Sequence, residues 1–273
     1  MSKQLRIWLF VLLGTLLTSS TLLAEGIITM TTSKAVGEEI QLIIKANGNV
    51  TIEGAQETGQ ANESGFKPYR LTSQTITIRG DLTELDCFNN QLTSLDVSKS
   101  AALEVLYCSD NKLTSLDVSK NSALTELNCF SNQLTSLNVS KNRALTTLSC
   151  GGNQLTSLDL SKNTALTELD CPDNQLTSLD VSKNTALESL ECSINQLTNL
   201  NISGCARLDA LYCFSNCING EAMTKLVNSL PDRMGMSRGT LCIVSRSSKK
   251  IDKNRCSAAD ITTAKKKNWE VRQ

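Results

Sequence analysis

The chain has no histidine, which removes the commonest general base and the commonest metal ligand together. It also has no net charge. Its 27 basic residues balance 27 acidic ones, so overall charge directs it neither to nucleic acid nor to an anionic membrane surface. No cysteine follows the apolar stretch near the start, which closes the lipoprotein route, and Trp269-Glu-Val-Arg-Gln273 carries no sorting motif or hydrophobic tail. What the first residues do carry is a leader pattern. Lys3 and Arg6 precede the apolar run Ile7 to Leu17, and a Ser/Thr-rich stretch ends at Leu22-Leu-Ala24. Residues 1–24 therefore read as a signal peptide, because the run is short of the roughly 20 residues a membrane-spanning helix needs. Export to the cell surface, the medium or the periplasm follows, with no stable membrane span after cleavage.

Cysteine is plentiful by contrast, and seven of the 11 residues fall at one interval of 21: Cys87, Cys108, Cys129, Cys150, Cys171, Cys192 and Cys213. Each sits in one phrase, Leu-x-x-Leu-x-Cys-x-x-Asn-x-Leu-Thr-Ser-Leu-Asp-Val-Ser-Lys-Asn-x-Ala, with full copies beginning at Leu82, Leu103, Leu124, Leu145, Leu166 and Leu187 and a seventh opening at Leu208. A strict period of this length means a solenoid, a stack of coils with a long repeated surface. Leu85 and Cys87 alternate with Glu84 and Asp86, the period of a strand with one buried face. Asn90, Asn111, Asn132, Asn153, Asn174, Asn195 and Asn216 follow at fixed offset. There an amide can bridge backbone groups of adjacent coils as a ladder.

Export permits disulfides, yet equivalent residues on stacked coils lie about 4.8 Å apart with parallel Cβ vectors. A disulfide needs Cβ atoms roughly 3.8 Å apart in crossed geometry. The seven cysteines thus read as a buried column of free thiols. Of the remaining four, Cys205, Cys217, Cys242 and Cys256, the best-placed disulfide pair is Cys242 with Cys256.

The strand positions that face away from the core vary most between repeats. One file reads Asp86, Tyr107, Asn128, Ser149, Asp170, Glu191, Tyr212, and its neighbour Glu84, Val105, Glu126, Thr147, Glu168, Ser189, Ala210. Neither contains lysine or arginine. The lysines occupy the turns instead, at Lys99, Lys120, Lys141, Lys162 and Lys183. An acidic face dotted with aromatics and a basic opposite edge are therefore expected, a face suited to a cationic partner. The same carboxylates also serve to keep a flat sheet soluble. The ligand-facing set is Glu84, Asp86, Tyr107, Glu126, Asn128, Glu168, Asp170, Glu191 and Tyr212. Phe88, Phe130 and Phe214, just past their cysteines, are expected to pack on the next turn. No residue set supports catalysis, a cofactor or a metal, because the carboxylates lack a walled cleft and the thiols lack an activating base.

Around the repeats, Ile40 to Lys45 and Val50 to Glu53 flank Asn47-Gly-Asn49, which reads as a hairpin. Residues 61–81 read as a worn repeat, since Leu71-Thr-Ser lies 21 residues before Leu92-Thr-Ser. Residues 25–81 are thus expected to be a β-rich cap, 82–218 the repeats, and 219–273 an α/β cap. In that last cap, helices are expected at Asn219–Leu230 and Ala258–Lys267, and strands at Leu241–Val244 and from Trp269.

The phrase is the leucine-rich-repeat motif with cysteine in place of its third leucine, and it resembles the internalin-like surface proteins of bacteria. The resemblance implies a right-handed, curved, β-rich coil with a parallel concave sheet. It also implies a secreted or surface-exposed monomer that binds a protein or glycoprotein through that sheet. Adhesion to host cells, mucin-like glycoproteins or other bacteria, as in biofilms, is the implied function. A periplasmic or outer-surface scaffold with no host ligand fits the same residues.

Overall fold

Leucine at both ends of a short alternating segment makes each repeat a strand that can bury one face only against its neighbours. The computed structural model describes residues 26–244 and 252–272; the expected signal peptide lies outside them. Ahead of the repeats lie β1 (Ile27–Thr32), β2 (Glu39–Ala46), β3 (Thr51–Glu53), β4 (Ala55–Glu57), β5 (Lys67–Leu71) and β6 (Thr75–Arg79). The repeats supply β7 (Leu82–Asp86), β8 (Leu92–Asp96), β9 (Val105–Tyr107), β10 (Glu126–Asn128), β11 (Thr147–Ser149) and β12 (Glu168–Asp170). They continue with β13 (Ser178–Asp180), β14 (Ser189–Glu191), β15 (Asn199–Asn201) and β16 (Ala210–Tyr212). Then come α1 (Gly220–Ser229), β17 (Gly239–Cys242), α2 (Ala258–Lys266) and β18 (Trp269–Arg272).

One 12-stranded sheet runs β18-β17-β16-β14-β12-β11-β10-β9-β7-β2-β5-β4. From β7 to β18 every pairing is parallel, and within the repeats each residue faces its equivalent in the next copy, as Glu126 faces Thr147. The chain is a leucine-rich-repeat solenoid. Its core is a stack of identical layers: in one, Leu124, Leu127, Cys129, Leu134 and Val139 are at most 1% exposed.

The seven column cysteines are fully buried and free. Burial holds their thiols protonated, pushing Cys129 up to about 12 and Cys108, Cys150 and Cys192 well above the ordinary range. Beside them, each ladder asparagine ties two coils. The Asn153 amide donates to the carbonyls of Cys129 and Cys150 at 3.0 and 3.1 Å, and its Oδ1 accepts from the Leu134 N–H at 2.9 Å. The residue before each ladder asparagine adopts the left-handed region: Asn89, Asp110, Ser131, Gly152, Asp173, Ile194 and Ser215. Glycine enters that region freely, and Asn or Asp tolerates it, but a β-branched residue such as Ile194 is strained there by about 1–2 kcal/mol.

A second ladder occupies the Ser-Lys-Asn turns. Asn121, Asn142, Asn163 and Asn184 are fully buried, and each donates to carbonyls of the preceding coil, as Asn142 does to Val118 and Asn121 at 2.9 and 2.8 Å. Ser100 begins this series, and Cys205, 1% exposed, ends it with its thiol 3.3 Å from the Val181 carbonyl. Cys205 is therefore a buried rung of this second ladder, unlike the partly exposed Cys217, Cys242 and Cys256. The expected Cys242–Cys256 disulfide is absent: both thiols are free.

The N-terminal segment departs from expectation. The two segments flanking Asn47-Gly-Asn49 are not hairpin partners. β2 pairs with β5 and β7, while β3 pairs with β6 in a separate sheet ordered β3-β6-β1-β8. The turn formed by β5 and β6 runs in the repeat direction, but β1 and β2 lie between it and the first repeat, antiparallel to both. Through Met30, Ile76 aligns with Leu95 rather than Val97, so the worn repeat is two residues out of its expected register. Asn90 closes the junction by exchanging bonds with Gln41 N–H and C=O at 2.9 and 2.7 Å.

At the other end β17 and β18 extend the same sheet, with Ala210 facing Thr240 and Gly239 facing Trp269. The period there lengthens to 30 residues, and α1 and α2 take the place of the extended return path. Asn254, 1% exposed, accepts from Ile218 N–H at 2.8 Å and donates to Cys213 and Ile243 carbonyls at 2.8 Å. It is an eighth rung of the first ladder, hidden in the sequence by the longer turn.

Two predictions follow from these contacts. Thiol labelling of the native protein should proceed rapidly at Cys217, Cys242 and Cys256 and reach all 11 cysteines only after denaturation; a count of nine in denaturant would restore the disulfide. Replacing Ile194 with Asn should raise stability by about 1 kcal/mol by relieving the left-handed strain, read as a shift in the urea midpoint.

Candidate functional site

Strand alternation sends every second side chain of the sheet outward, and this places the predicted set together. Asp86, Tyr107, Asn128, Ser149, Asp170, Glu191 and Tyr212 are register partners on seven consecutive strands, and so are Glu84, Val105, Glu126, Thr147, Glu168, Ser189 and Ala210. The two added strands extend the files with Cys242 and Arg272, and with Thr240 and Glu270. Sequence reasoning missed these four because their period is not 21.

The face is less uniformly acidic than its seven repeats suggest. Lys45, brought in by β2, pairs with Glu84 at 2.6 Å, Arg272 pairs with Glu270 at 3.1 Å, and Arg207 and Arg233 approach Glu188 and Asp209 at 3.6 and 3.9 Å. Cations thus flank an acidic centre made of Glu126, Glu168, Asp170 and Glu191. The opposite edge also differs from expectation. Beside its lysines run Asp96, Asp117, Asp159 and Asp180, whose carboxyls sit below the ordinary range because the hydroxyl and N–H of the serine two residues on bond to them. That edge is therefore mixed in charge rather than basic.

Several outward side chains are tied to their own turns. Asp86 accepts from Phe88 N–H at 2.9 Å, Asn128 from Phe130 N–H at 3.0 Å, and Glu191 from Ser193 N–H at 2.9 Å. Asp170 cannot make this bond, because the residue two positions on is Pro172, which has no N–H. Among the described residues its carboxylate accepts one long hydrogen bond, from the Ser149 hydroxyl at 3.3 Å. Burial raises the carboxyls of Asp86, Asp170 and Glu191, and Glu191 is raised further by the charge of Asp170. Tyr107 is committed as well. Its hydroxyl donates to Glu126, and that bond, with partial burial and the nearby carboxylates, pushes the phenol up to about 12.

Phe88 and Phe130 are the exposed aromatics of this edge, at 41% and 37%, so the expected packing is partial. Phe130 does rest on the next turn: a Cβ at Gly151 would lie 2.5 Å from its ring and 2.7 Å from Pro172 Cδ. Ring, glycine and proline form an apolar shelf beside Ser149 and Asp170.

The shifts have opposite signs in stability. A raised carboxyl contributes stability below the ordinary carboxylate range and loses it as pH rises through its folded value; a lowered one contributes above that range and loses it as pH falls. Stability should therefore rise slightly from pH ~7 to pH ~5 and fall in stronger acid. Asp170→Asn should raise the melting temperature at neutral pH by about 2 °C and flatten the rise; a lower melting temperature would show that its charge is favourable in the fold.

A model of leucine-rich repeats in two copies matches residues 81–121. No curated protein matches the chain. Among solved structures, the functional domain of InlJ from Listeria monocytogenes, which includes a cysteine ladder, is 29% identical over 72% of this chain and 50% of its own, with a TM-score of 0.49. The internalin InlF from the same organism is 19% identical over 64% of this chain and 48% of its own, TM-score 0.54. The leucine-rich-repeat protein LIC12759 of Leptospira interrogans is 23% identical over 66% and 46%, TM-score 0.52. The chain thus spans about half the length of the structures it is similar to. The repeats of this chain are leucine-rich repeats, and the coil they build has the fold of the internalins.

Proposed function

We propose that the chain is an exported, non-catalytic binding protein that recognises a protein or glycoprotein partner through the outward face of its sheet. Leucine-rich repeats generally present such a face to protein ligands. What supports this reading most is the contrast between the two sides of each strand. The core repeats almost without change, whereas the outward files change at every turn and include half-buried carboxylates that carry a cost in the fold. A surface maintained only for solubility would place its charges where water reaches them fully. The finer reading is an adhesin that attaches to host cells, mucin-like glycoproteins or other bacteria.

Among the described residues no helix is long and apolar enough to cross a membrane, and the coil itself offers a long open face rather than an enclosed chamber. The test is binding of the purified protein to mucin, host-cell and bacterial surfaces, beside a variant with Tyr107, Asp170, Glu191 and Tyr212 changed to alanine. Binding to at least one surface is expected, with a loss of about tenfold or more in the folded variant. Binding to none of the three would sink the adhesin and leave a scaffold for another protein of the producing cell.

A further inference from the structure

Strand register puts polar groups on the core side of the N-terminal cap. Between β2 and β5, Ile40 faces Tyr69 and Leu42 faces Lys67, and in β4 Glu57 faces Tyr69. Register partners share one face of a sheet, so Glu57, Tyr69 and Lys67 stand with the buried Ile40 and Leu42. The core is not closed there. A cleft of about 290 Å³ is lined by Leu42, Ile44, Glu57, Lys67 and Tyr69 of the long sheet, and by Val50 and Ile52 at the start of β3 in the four-stranded one. The Lys67 ammonium meets both carboxylate oxygens of Glu57 at 3.1 and 3.3 Å, and both side chains are about half exposed. Tyr69 is different. It is 5% exposed, yet among the described residues its hydroxyl makes no hydrogen bond. A buried hydroxyl without a partner costs more than an ordinary hydrogen bond returns, and Tyr69 borders the cleft. Burial, and then the charge of Glu57, raises its phenol, so the group stays neutral and able to donate as well as accept.

We propose that this cleft binds a small uncharged molecule with an apolar body and one hydroxyl group, the hydroxyl bonding to Tyr69. The inference does not depend on the outward face binding anything. Three properties of the cleft select this chemistry. Leu42, Ile44, Val50 and Ile52 reward an apolar body, since contact with them removes apolar surface from water on both sides. Lys67 and Glu57 already neutralise each other, so a charged ligand would have to part them or enter unmatched. The Tyr69 hydroxyl is the polar group with bonding capacity to spare, and a second hydroxyl can serve it as donor or acceptor. Size sets the scale. An apolar cavity of about 150 Å³ holds a benzene ring, so a cleft of about 290 Å³ admits one substituted ring.

The probes are p-cresol and toluene, which differ by one hydroxyl. Each is titrated into the full protein at pH ~7, where p-cresol is neutral, while the methyl resonances of Leu42, Ile44, Val50 and Ile52 are followed by NMR. Both probes should shift those methyls, with p-cresol binding about tenfold more tightly because only its hydroxyl can bond to Tyr69. Tyr69→Phe removes no internal hydrogen bond and should keep the melting temperature of the unaltered protein. In that variant the preference for p-cresol should fall to about twofold or less, with toluene unaffected. Val50→Phe, which fills the cleft, should weaken both probes about tenfold or more. The charged probes p-toluate and benzylamine should bind more weakly than p-cresol. No methyl shift from p-cresol up to about 5 mM would overturn the site, as would undiminished binding of both probes in a folded Val50→Phe variant. Equal affinity for p-cresol and toluene in the unaltered protein, or a p-cresol preference that survives Tyr69→Phe, would overturn the role of the hydroxyl. Tighter binding of either charged probe would overturn the choice of an uncharged ligand.

Discussion

Everything in this molecule hangs on one amide. A coil of 21 residues cannot close on itself without leaving backbone groups unpaired where the strand ends and the chain turns inward. A buried N–H or C=O without a partner costs more than an ordinary hydrogen bond returns. The asparagine three residues past each cysteine answers this with both ends of its side chain. Asn153 serves two carbonyls of successive coils and one N–H of the earlier coil. Aspartate would lack the donors, glutamine would overreach, and an insertion of one residue would move the amide off its carbonyls. The fixed period is the consequence of that geometry.

The ladder also explains the column beside it. The cysteine carbonyls are the acceptors that the asparagines use, so the backbone at the column is drawn tightly toward the turn. A thiol fills the narrow space left there as a small apolar group. Burial keeps it protonated and so inert to exchange, because the thiolate is the reactive form. The turn ladder is a less complete version of the same device. Its amide N–H groups are all used, but the Oδ1 atoms of Asn121, Asn142, Asn163 and Asn184 have no protein partner. Two good bonds to the preceding coil offset one poorly solvated oxygen at each rung. At the two ends of the series Ser100 and Cys205 stand in the asparagine's place, and the Cys205 thiol still faces the Val181 and Asn184 carbonyls of the preceding coil at 3.3 and 3.8 Å.

What the sequence disclosed follows the same logic. The strands, the column and the first ladder were legible because each recurs at a fixed offset, and recurrence averages out the ambiguity of any single segment. Asn254 was not legible, although it does the same work, because α1 and the longer turn shift it out of period. The turn asparagines were in period but sit in a polar phrase, Ser-Lys-Asn, that reads as an exposed turn until burial is seen. The cap misled for a different reason. Asn47-Gly-Asn49 is a sound hairpin signal locally, yet β2 gains more by lying between β5 and β7, where Ile40 and Leu42 are buried against the open end of the core. Tertiary burial overrode a local preference. The cations at both ends of the face were hidden likewise, since Lys45 and Arg272 lie on strands outside the repeats.

Pro172 and Gly151 show how one turn of a repeat protein can change its outward face without disturbing its fold. Both occupy the position just past the column, where the backbone carbonyl still bonds to the ladder whatever the side chain. The position is therefore free to vary. Proline there removes an N–H that Asp170 would otherwise occupy, and glycine there admits the neighbouring ring. Neither change touches the column or either ladder, so the stack loses nothing by them. What they alter is the bonding state of a carboxylate on the outward face: it is half-buried, raised by desolvation and held by one long bond. Desolvating a charge without matching it is unfavourable in the fold. As maintenance of the coil, neither residue is needed.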